Sequence, residues 1–175
     1  MGPQSYHKIN EVILNYQKLG INRERIFIRL DTDEKVDHFI EYCKYHKNIL
    51  SAISDSYTEI ILVFGCGGDR DKLKRPQMME VALDMASKIF FTSDNNRNEL
   101  FASITEDALN GNQSKNLKII ENRADAISSA LKYLNQDNIL VILGKGHEEF
   151  IEIAGKKIPF NDRDCVLKAA GNEIS

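Results

Sequence analysis

Short apolar runs alternate with amphipathic stretches of helical length from about residue 57 onward. This alternation is typical of βαβ units, in which parallel strands are joined by crossover helices. The run Ile60-Ile61-Leu62-Val63-Phe64 has no polar position, which indicates a strand that is buried on both faces. The sequence therefore predicts an α/β domain with a mostly parallel sheet that is flanked by helices.

The boundaries of these elements follow from the apolar periodicity and from the residues that begin and end helices. Pro76 suits a first helical turn, and Gly155 separates two short β-like runs that are typical of a hairpin. The predicted strands are Glu59 to Phe64, Lys88 to Thr92, Lys118 to Glu121 and Asn138 to Leu143. The predicted helices are Pro76 to Ser87, Asn98 to Leu109, Arg123 to Leu134 and Asp162 to Ala170, and the C-terminal hairpin pairs Phe150 to Ala154 with Lys156 to Phe160.

Residues 1–56 have a less regular pattern. They predict a helix at Lys8 to Lys18, a strand at Arg25 to Leu30 and helical periodicity from Asp33 toward Ser54. We place a domain boundary near Asp55-Ser56. The expected organisation is an N-terminal helix-strand-helix segment, residues 1–56, packed on a main domain of residues 57–175.

The size and charge of the chain restrict its class. Its 175 residues fit one domain, and 42% hydrophobic with 28% charged residues is close to the globular average. The formal net charge of -3 provides no overall positive field, so nucleic acid is not an expected partner. The three cysteines form no Cys-x-x-Cys pair, and no apolar run is long enough to cross a bilayer. We therefore expect a cytoplasmic protein with no membrane partner.

Glycine and polar residues follow three of the predicted strands at the point where each strand ends. They form a glycine-rich loop at 65–72, a second loop at 93–97 and a third loop at 144–148. Ligands bind outside the carboxyl ends of strands in open α/β sheets, so these loops are the candidate site. The first loop matches neither a P-loop nor a complete dinucleotide pattern, and a tight turn before a charged helix start is an equally good interpretation of it.

The charged residues of these loops suit an amino-acid ligand. Arg70 and Arg97 each offer a planar guanidinium fork that binds a carboxylate in a bidentate way, and Glu148 can hold an ammonium group. A solvated surface role is commoner for either arginine alone, but their shared placement at strand ends favours binding. His147 is a candidate base, although a structural role is commoner for a lone histidine at a turn. No metal site is expected, because the four histidines are not paired at ligand spacing.

Four segments, taken in order, resemble the C-terminal domain of the UDP-N-acetylmuramoyl-tripeptide synthetases of the Mur ligase family. The resemblance covers roughly residues 57–171. It implies a Rossmann-like domain that closes over a central ATPase domain and brings the incoming amino acid to an acyl-phosphate made from ATP and the carboxylate of the precursor. The segments are Phe64–Lys72 with Lys74-Arg75-Pro76, then Asp94–Arg97, Gly144–Glu148 and Phe160–Arg163.

The resemblance also implies roles for particular residues. Arg70 and Arg97 would bind the carboxylates of the amino acid, and an arginine at the end of the second loop goes with diaminopimelate, because lysine lacks the distal carboxylate. Gly144 and Glu148 would hold the far amino group. The expected site residues are Lys72 and His147 for catalysis and Arg70, Asp94, Asn95, Arg97, Gly144 and Glu148 for substrate binding.

Two departures from the family pattern stand out. The usual Asp-Asn-Pro-Arg is here Asp94-Asn95-Asn96-Arg97, and the loss of proline frees φ at position 96, so we expect Arg97 to be held less rigidly. The chain also has no Walker-type loop. ATP and Mg²⁺ are therefore expected in the full ligase, bound mainly by a domain that this sequence does not contain, and no cofactor is expected for this chain alone.

Other functions are compatible with the sequence. ATPase and UDP-precursor-binding domains, in cis or in trans, are the partners that the ligase interpretation requires. A stand-alone, non-catalytic binding or regulatory protein that reuses the same fold is the alternative, and residues 1–56 favour it. A nucleotide-binding module acting alone is a third and weaker interpretation, since it depends only on the glycines at 65, 67 and 68.

Overall fold

The computed structural model describes residues 59–135, 138–145 and 148–169, together with the backbone of residues 26–28. The helices predicted at 8–18 and 33–54 lie outside the described residues. The strands are β1 (Ile26–Ile28), β2 (Glu59–Phe64), β3 (Lys88–Phe91), β4 (Leu117–Ile119), β5 (Asn138–Ile142), β6 (Phe150–Ile153) and β7 (Lys156–Pro159). The helices are α1 (Lys74–Met85), α2 (Phe101–Leu109), α3 (Arg123–Leu131) and α4 (Asp162–Ala169).

Five of these strands form one parallel sheet, in the order β1-β5-β2-β3-β4. Strand β2 pairs with β3 on one side and with β5 on the other, with Leu62 opposite both Ile89 and Val141. The fully apolar run of β2 is thus explained by its central position, where both faces and both edges are covered. The predicted α/β fold with a mostly parallel, helix-flanked sheet is confirmed.

The alternating side chains of the sheet supply two separate cores. Leu62 and Phe64 of β2 point into a core that is closed by α1 and α2. Ile61 and Val63 point into the opposite core, which α3 and α4 close. Successive residues of a strand point to opposite faces, so one strand serves both layers. The domain is therefore a three-layer sandwich of helices, sheet and helices.

The order of the strands creates a crevice at one position of the sheet. From β2 the chain moves outward to β3 and then β4, and α3 carries it back to β5 on the other side of β2. The order in which strands are added therefore reverses at β2, and α1 and α2 cover one face of the sheet while α3 and α4 cover the other. Such a switch point is where open α/β sheets bind their ligands.

The C-terminal hairpin docks on this same end of the sheet. Strands β6 and β7 pair in antiparallel fashion, as predicted, around a turn at Ala154 and Gly155, which have φ of 50° and 70°. Ile153 of β6 forms an isolated bridge with Arg97 of the second loop. The hairpin thus forms one wall of the crevice.

Two helices begin elsewhere than predicted, for identifiable reasons. Helix α1 begins at Lys74, so Pro76 lies in its first turn but is not its first residue. Helix α2 begins at Phe101 and not at Asn98, because Asn98 and Glu99 bond to the glycine-rich loop through Asp69. Within the described ranges, no helix combines the length and the apolar character that a bilayer crossing requires.

Candidate functional site

The glycine-rich loop packs directly on the backbone of the second loop. The amide of Gly68 donates to the carbonyl of Asn95 at 2.8 Å. A Cβ at Gly68 would lie 1.8 Å from the carbonyl oxygen of Asn96, and one at Gly65 would lie 2.2 Å from that of Thr92. Because only glycine permits this approach, these glycines join two loops of the site and are not arranged as an open cradle for phosphates.

The two arginines that were predicted to bind carboxylates lie beside each other. The position of a Cβ on Gly67 is 3.2 Å from Nη1 of Arg97 and 3.4 Å from Cγ of Arg70. Nη1 of Arg97 donates to the carbonyl of Gly68 at 2.5 Å. Arg70 is exposed and Arg97 is half-buried. The glycine-rich loop therefore brings the Arg97 guanidinium and the stem of the Arg70 side chain to one edge of the crevice.

The backbone of Arg97 is held by the hairpin. Its φ of 51° lies in the left-handed region, where a non-glycine residue is strained. Its amide donates to the carbonyl of Glu152 at 3.0 Å, and its carbonyl accepts from the amide of Ala154 at 2.6 Å. Asn96, at the usual position of proline, is buried and donates to Oγ of Ser93. Hydrogen bonds thus constrain this loop in place of the proline ring.

A buried lysine lies at the centre of the polar residues from the second and third loops. Lys145 is 0% exposed, and its Nζ donates to Oδ1 of Asn95 at 2.7 Å and to Oε2 of Glu148 at 2.5 Å. The same ammonium lies 3.7 Å from Oδ1 of Asp94. Nδ2 of Asn95 donates to Glu148 at 2.9 Å, and Oδ1 of Asn95 also accepts the amide of Glu152. These contacts fix the orientation of the Asn95 amide and of the Glu148 carboxylate.

Two carboxylates of this cluster share one ammonium group. Asp94 and Glu148 contribute two carboxylates, and Lys145 contributes one ammonium group. Beside this cluster lie the stem of Arg70 and the guanidinium of Arg97, whose Nε is 4.0 Å from Oε2 of Glu152. A crevice with one positive and one negative region can orient a zwitterion, with its carboxylate toward the guanidinium groups and its ammonium toward the carboxylates.

Gly144 has a conformation and surroundings that exclude a side chain. Its φ is 117°, which L residues rarely adopt. An added Cβ would lie 2.8 Å from Oδ2 of Asp94. The third loop therefore brings its backbone against Asp94, between the second loop and the end of β5.

Of the two predicted catalytic residues, Lys72 is described and His147 lies outside the described residues. Nζ of Lys72 is 3.4 Å from Oε2 of Glu99 and 3.9 Å from Oδ2 of Asp107, and the side chain is largely exposed. Lys72 thus pairs with carboxylates of the segment around α2 and not with Asp94 or Glu148.

The ion pair of Arg75 and Glu99 hydrogen-bonds to the backbone of the glycine-rich loop. Arg75 is buried and donates to both carboxylate oxygens of Glu99, to Asp107 and to the carbonyl of Gly67. Glu99 also accepts the amide of Asp69 at 2.6 Å. The hydrogen bonds from Arg75 lower the pKa of Glu99 from 4.5 to about 2, and the pKa of Arg75 is raised. Both groups are therefore charged at neutral pH.

A second buried ion pair lies beneath the other two loops. Nε and Nη2 of Arg123 donate to the two oxygens of Asp162 at 2.7 and 2.8 Å, and both side chains are 0% exposed. Burial by itself lowers the pKa of Arg123, but the Asp162 carboxylate outweighs this effect and raises it.

Cys66 is not a reactive thiol in this site. Its side chain is buried, and burial raises the pKa of the thiol to about 12, with Asp94 adding to the shift. The thiolate, which is the nucleophile, is therefore scarce at neutral pH. Within residues 59–135, 138–145 and 148–169, no group of three side chains of histidine, cysteine, aspartate and glutamate could hold a metal ion.

The structure brings together most of the predicted binding residues and adds others. Arg70 and Arg97 are neighbours, and Asp94, Asn95, Gly144 and Glu148 surround Lys145. Sequence reasoning assigned no role to Lys145, Arg75 or Arg123. A lysine between two glycines at a strand end was a signal for Lys145, and Arg75 lies in the first of the four segments that carry the family resemblance, whereas Arg123 looks like an ordinary surface residue of a helix in the sequence.

Comparisons with known proteins give a consistent result. A family model described as Mur ligase, glutamate ligase domain, matches residues 45–146. Proteins called UDP-N-acetylmuramoyl-L-alanyl-D-glutamate–2,6-diaminopimelate ligase are similar to this chain. The protein of Helicobacter hepaticus is 48% identical, and the match covers 63% of this chain and 24% of the relative. The protein of Chlorobium phaeobacteroides is 40% identical, and the match covers 71% of this chain and 24% of the relative.

A solved structure of a ligase with the same name superposes with a TM-score of 0.71 at 34% identity. The match covers 83% of this chain and 28% of the solved chain. The present chain thus spans about a quarter of the length of the relatives that it matches.

Proposed function

We propose that this chain is the C-terminal, amino-acid-binding domain of an ATP-dependent peptide ligase. The chain belongs to the Mur ligase family, because its residues 45–146 match the glutamate ligase domain of that family. The whole ligase would add diaminopimelate, or a similar amino acid, to a UDP-MurNAc-peptide in peptidoglycan synthesis. The names of the relatives support this substrate, since each is a 2,6-diaminopimelate ligase.

One observation carries the proposal: the guanidinium of Arg97 and the side-chain stem of Arg70 lie on either side of Gly67, beside a cluster with two carboxylates at the carboxyl end of the sheet. Arg70 and Arg97 would bind carboxylates of the amino acid. Glu148, with Asp94, would hold its distal ammonium group, and Asn95 and Gly144 would shape the space between them. A ligand with charges of both signs at its ends suits this arrangement better than a nucleotide does.

The contribution to catalysis would be orientation. The reacting amine attacks an acyl-phosphate, an amide bond forms, and phosphate leaves. Fixing the amino acid by its charged ends places that amine and reduces the entropic part of the barrier. Lys72 and His147 are proposed to lie near the reacting centre; the Lys72 side chain is largely exposed and would exchange its contacts with Glu99 and Asp107 for a ligand.

ATP and Mg²⁺ are proposed cofactors of the whole ligase. The described residues do not fit them as a primary site, because they contain no cluster of metal ligands and the glycine-rich loop is packed against backbone. Other domains of the ligase, in cis or in trans, would bind the nucleotide and the UDP-precursor. A cytoplasmic location remains a prediction.

Calorimetry with meso-diaminopimelate tests the proposal. The chain should release or absorb heat on binding, and Arg97→Ala should weaken binding by about tenfold or more, because a charge-assisted hydrogen bond contributes roughly 1.5–3 kcal/mol. Lys115→Ala, which removes one positive charge from an exposed position outside the loops, is the matched control and should bind as the unchanged chain does. No detectable binding by the unchanged chain would refute the proposed substrate site.

A second arm tests the role of Arg97 in substrate choice. L-lysine has the distal ammonium group of diaminopimelate but not the distal carboxylate, so the unchanged chain should prefer diaminopimelate. Arg97→Ala should lose most of this preference. If the variant discriminates as well as the unchanged chain, Arg97 does not contact the distal carboxylate.

A further inference from the structure

The buried pair of Arg123 and Asp162 lies where the second and third loops leave the sheet. Besides its bidentate contact with Asp162, the guanidinium donates to the carbonyl of Leu143 at 2.9 Å and to that of Ser93 at 3.4 Å. These carbonyls belong to the residues that immediately precede Gly144 and Asp94. One side chain thus bonds at the same time to the residues that follow β5 and to those that follow β3.

The guanidinium is also adjacent to the residues of the proposed site. The position of a Cβ on Gly144 lies 3.7 Å from Nη2 of Arg123 and 2.8 Å from Oδ2 of Asp94. The guanidinium of Arg123 therefore packs against the point where Gly144 approaches Asp94. A shift of the guanidinium would change the spacing of the two loops that provide the negative end of the crevice.

Asp162 provides the counter-charge that permits Arg123 to be buried. A fully buried cation without a counter-charge is costly, and Asp162 provides the opposite charge from the first residue of α4. Asn161 precedes it and accepts the amides of Arg163 and Asp164 through Oδ1, which fixes the start of the helix. Val166, in the next turn, anchors α4 in the core.

We propose that Asp162 and Arg123 are positioning residues, which hold Asp94 and Gly144 at the distance that amino-acid binding requires. The segment Phe160–Arg163 thereby has a role in the site although it is remote from the three loops in sequence: Asn161 begins the helix, and Asp162 orients Arg123. For its ligand-binding consequence this inference depends on the proposed function, whereas its consequence for the loops does not.

The main test replaces both members of the pair, by Arg123→Met with Asp162→Leu in one chain. Replacing a buried ion pair with apolar side chains of similar volume often leaves stability unchanged, so this variant should fold, whereas Asp162 substituted alone leaves an uncompensated cation. Val166→Ala is the control, because it weakens the packing of α4 but keeps the ion pair.

The primary measurement is amide hydrogen exchange without ligand, at Ser93 and Leu143 and in their loops. The amides of Ser93 and Leu143 bond to Glu121 and Val63, so they exchange only when the loops open. The double variant should exchange at least about tenfold faster there, relative to its own global stability, because the guanidinium no longer holds the carbonyls of Ser93 and Leu143 against this opening. Val166→Ala should not change these two loops selectively. Unchanged exchange in a folded double variant overturns the inference.

The ligand arm separates this inference from the proposed function. If the unchanged chain binds meso-diaminopimelate, the double variant should bind it about tenfold more weakly, and Val166→Ala should bind it normally. If the unchanged chain does not bind, the proposed function fails, and exchange at Ser93 and Leu143 still decides whether the pair positions the loops.

Discussion

At the scale of single residues, charged side chains of this domain stabilise the fold and shape the site together. Lys145 illustrates this, because its ammonium is fully buried yet bonds to Asn95 and Glu148, which are proposed to contact substrate. Arg75 similarly bonds to Gly67 in the glycine-rich loop. Substitutions at such positions are expected to change both stability and binding.

Glu99→Gln should change how the stability of the chain depends on pH. The pKa of Glu99 is about 2 in the folded chain, against an ordinary value of 4.5, because Arg75 hydrogen-bonds to its ionised form. A depressed pKa stabilises the fold above pH 4.5, and the stabilisation is lost as the pH falls from about 4.5 toward 2. Urea unfolding across this range should show the loss in the unchanged chain and much less of it in Glu99→Gln.

At neutral pH the same variant should be less stable by roughly 1.5–3 kcal/mol, because Arg75 loses one of its two charged partners and keeps only Asp107. Glu106→Gln, at an exposed position of α2, is the control and should change stability little. Equal pH dependence in Glu99→Gln and the unchanged chain would show that the ion pair contributes no pH-dependent stability.

At the scale of elements, the helix starts differ in how well their sequences satisfy the backbone. Asn122 caps α3, and its Oδ1 accepts the amide of Asp125 at 3.1 Å. Leu100 holds the corresponding position before α2 with an extended backbone and no side-chain capping bond, and it is 74% exposed. The starts of these two helices therefore offer substitutions with effects of opposite sign.

Asn122→Ala should destabilise the chain by about 1 kcal/mol, and Leu100→Ser should stabilise it by a similar amount. The first substitution removes an acceptor from the first turn of α3, and the second adds one to the first turn of α2 while removing an exposed apolar group. Thermal and urea unfolding of both variants measure the effects. A loss of stability in Leu100→Ser would indicate that the exposed leucine contributes to the fold.

At the scale of the whole molecule, the N-terminal strand contributes an edge to the sheet of the main domain. The backbone of β1 pairs in parallel with β5, with Phe27 opposite Val141. All residues of β5 are buried. The sheet therefore extends to residues before the domain boundary that the sequence predicts at Asp55-Ser56.

A chain shortened to begin at Tyr57 should be less stable than the full chain by at least about 2 kcal/mol, because β5 loses the hydrogen bonds to β1. It should also associate at high concentration, since an unpaired strand edge is a template for pairing. A chain that begins at residue 21, and so keeps β1, is the control. Urea unfolding and sedimentation measure both effects; a monomer of unchanged stability would show that β1 is dispensable.

The sequence by itself determined the types and approximate positions of the elements after residue 59. Apolar periodicity is a local property, and β2, β5 and the C-terminal hairpin therefore appear where it predicts them. It also determined which loops carry the candidate site, because loops at the carboxyl ends of parallel strands must share one edge of the sheet. The start of α2 was missed because contacts with the glycine-rich loop, distant in sequence, displace it.

Only the tertiary structure decided which charges are buried and which partners they have. Arg75 and Arg123 are buried beside carboxylates from distant segments, and Lys145 beside Asp94 as well as the neighbouring Glu148, and the energy of a buried charge depends on such partners. The same holds for the strand order, which places β5 between β1 and β2 and thereby creates the crevice. Local sequence determines the conformation of a segment, whereas long-range pairing determines what surrounds it.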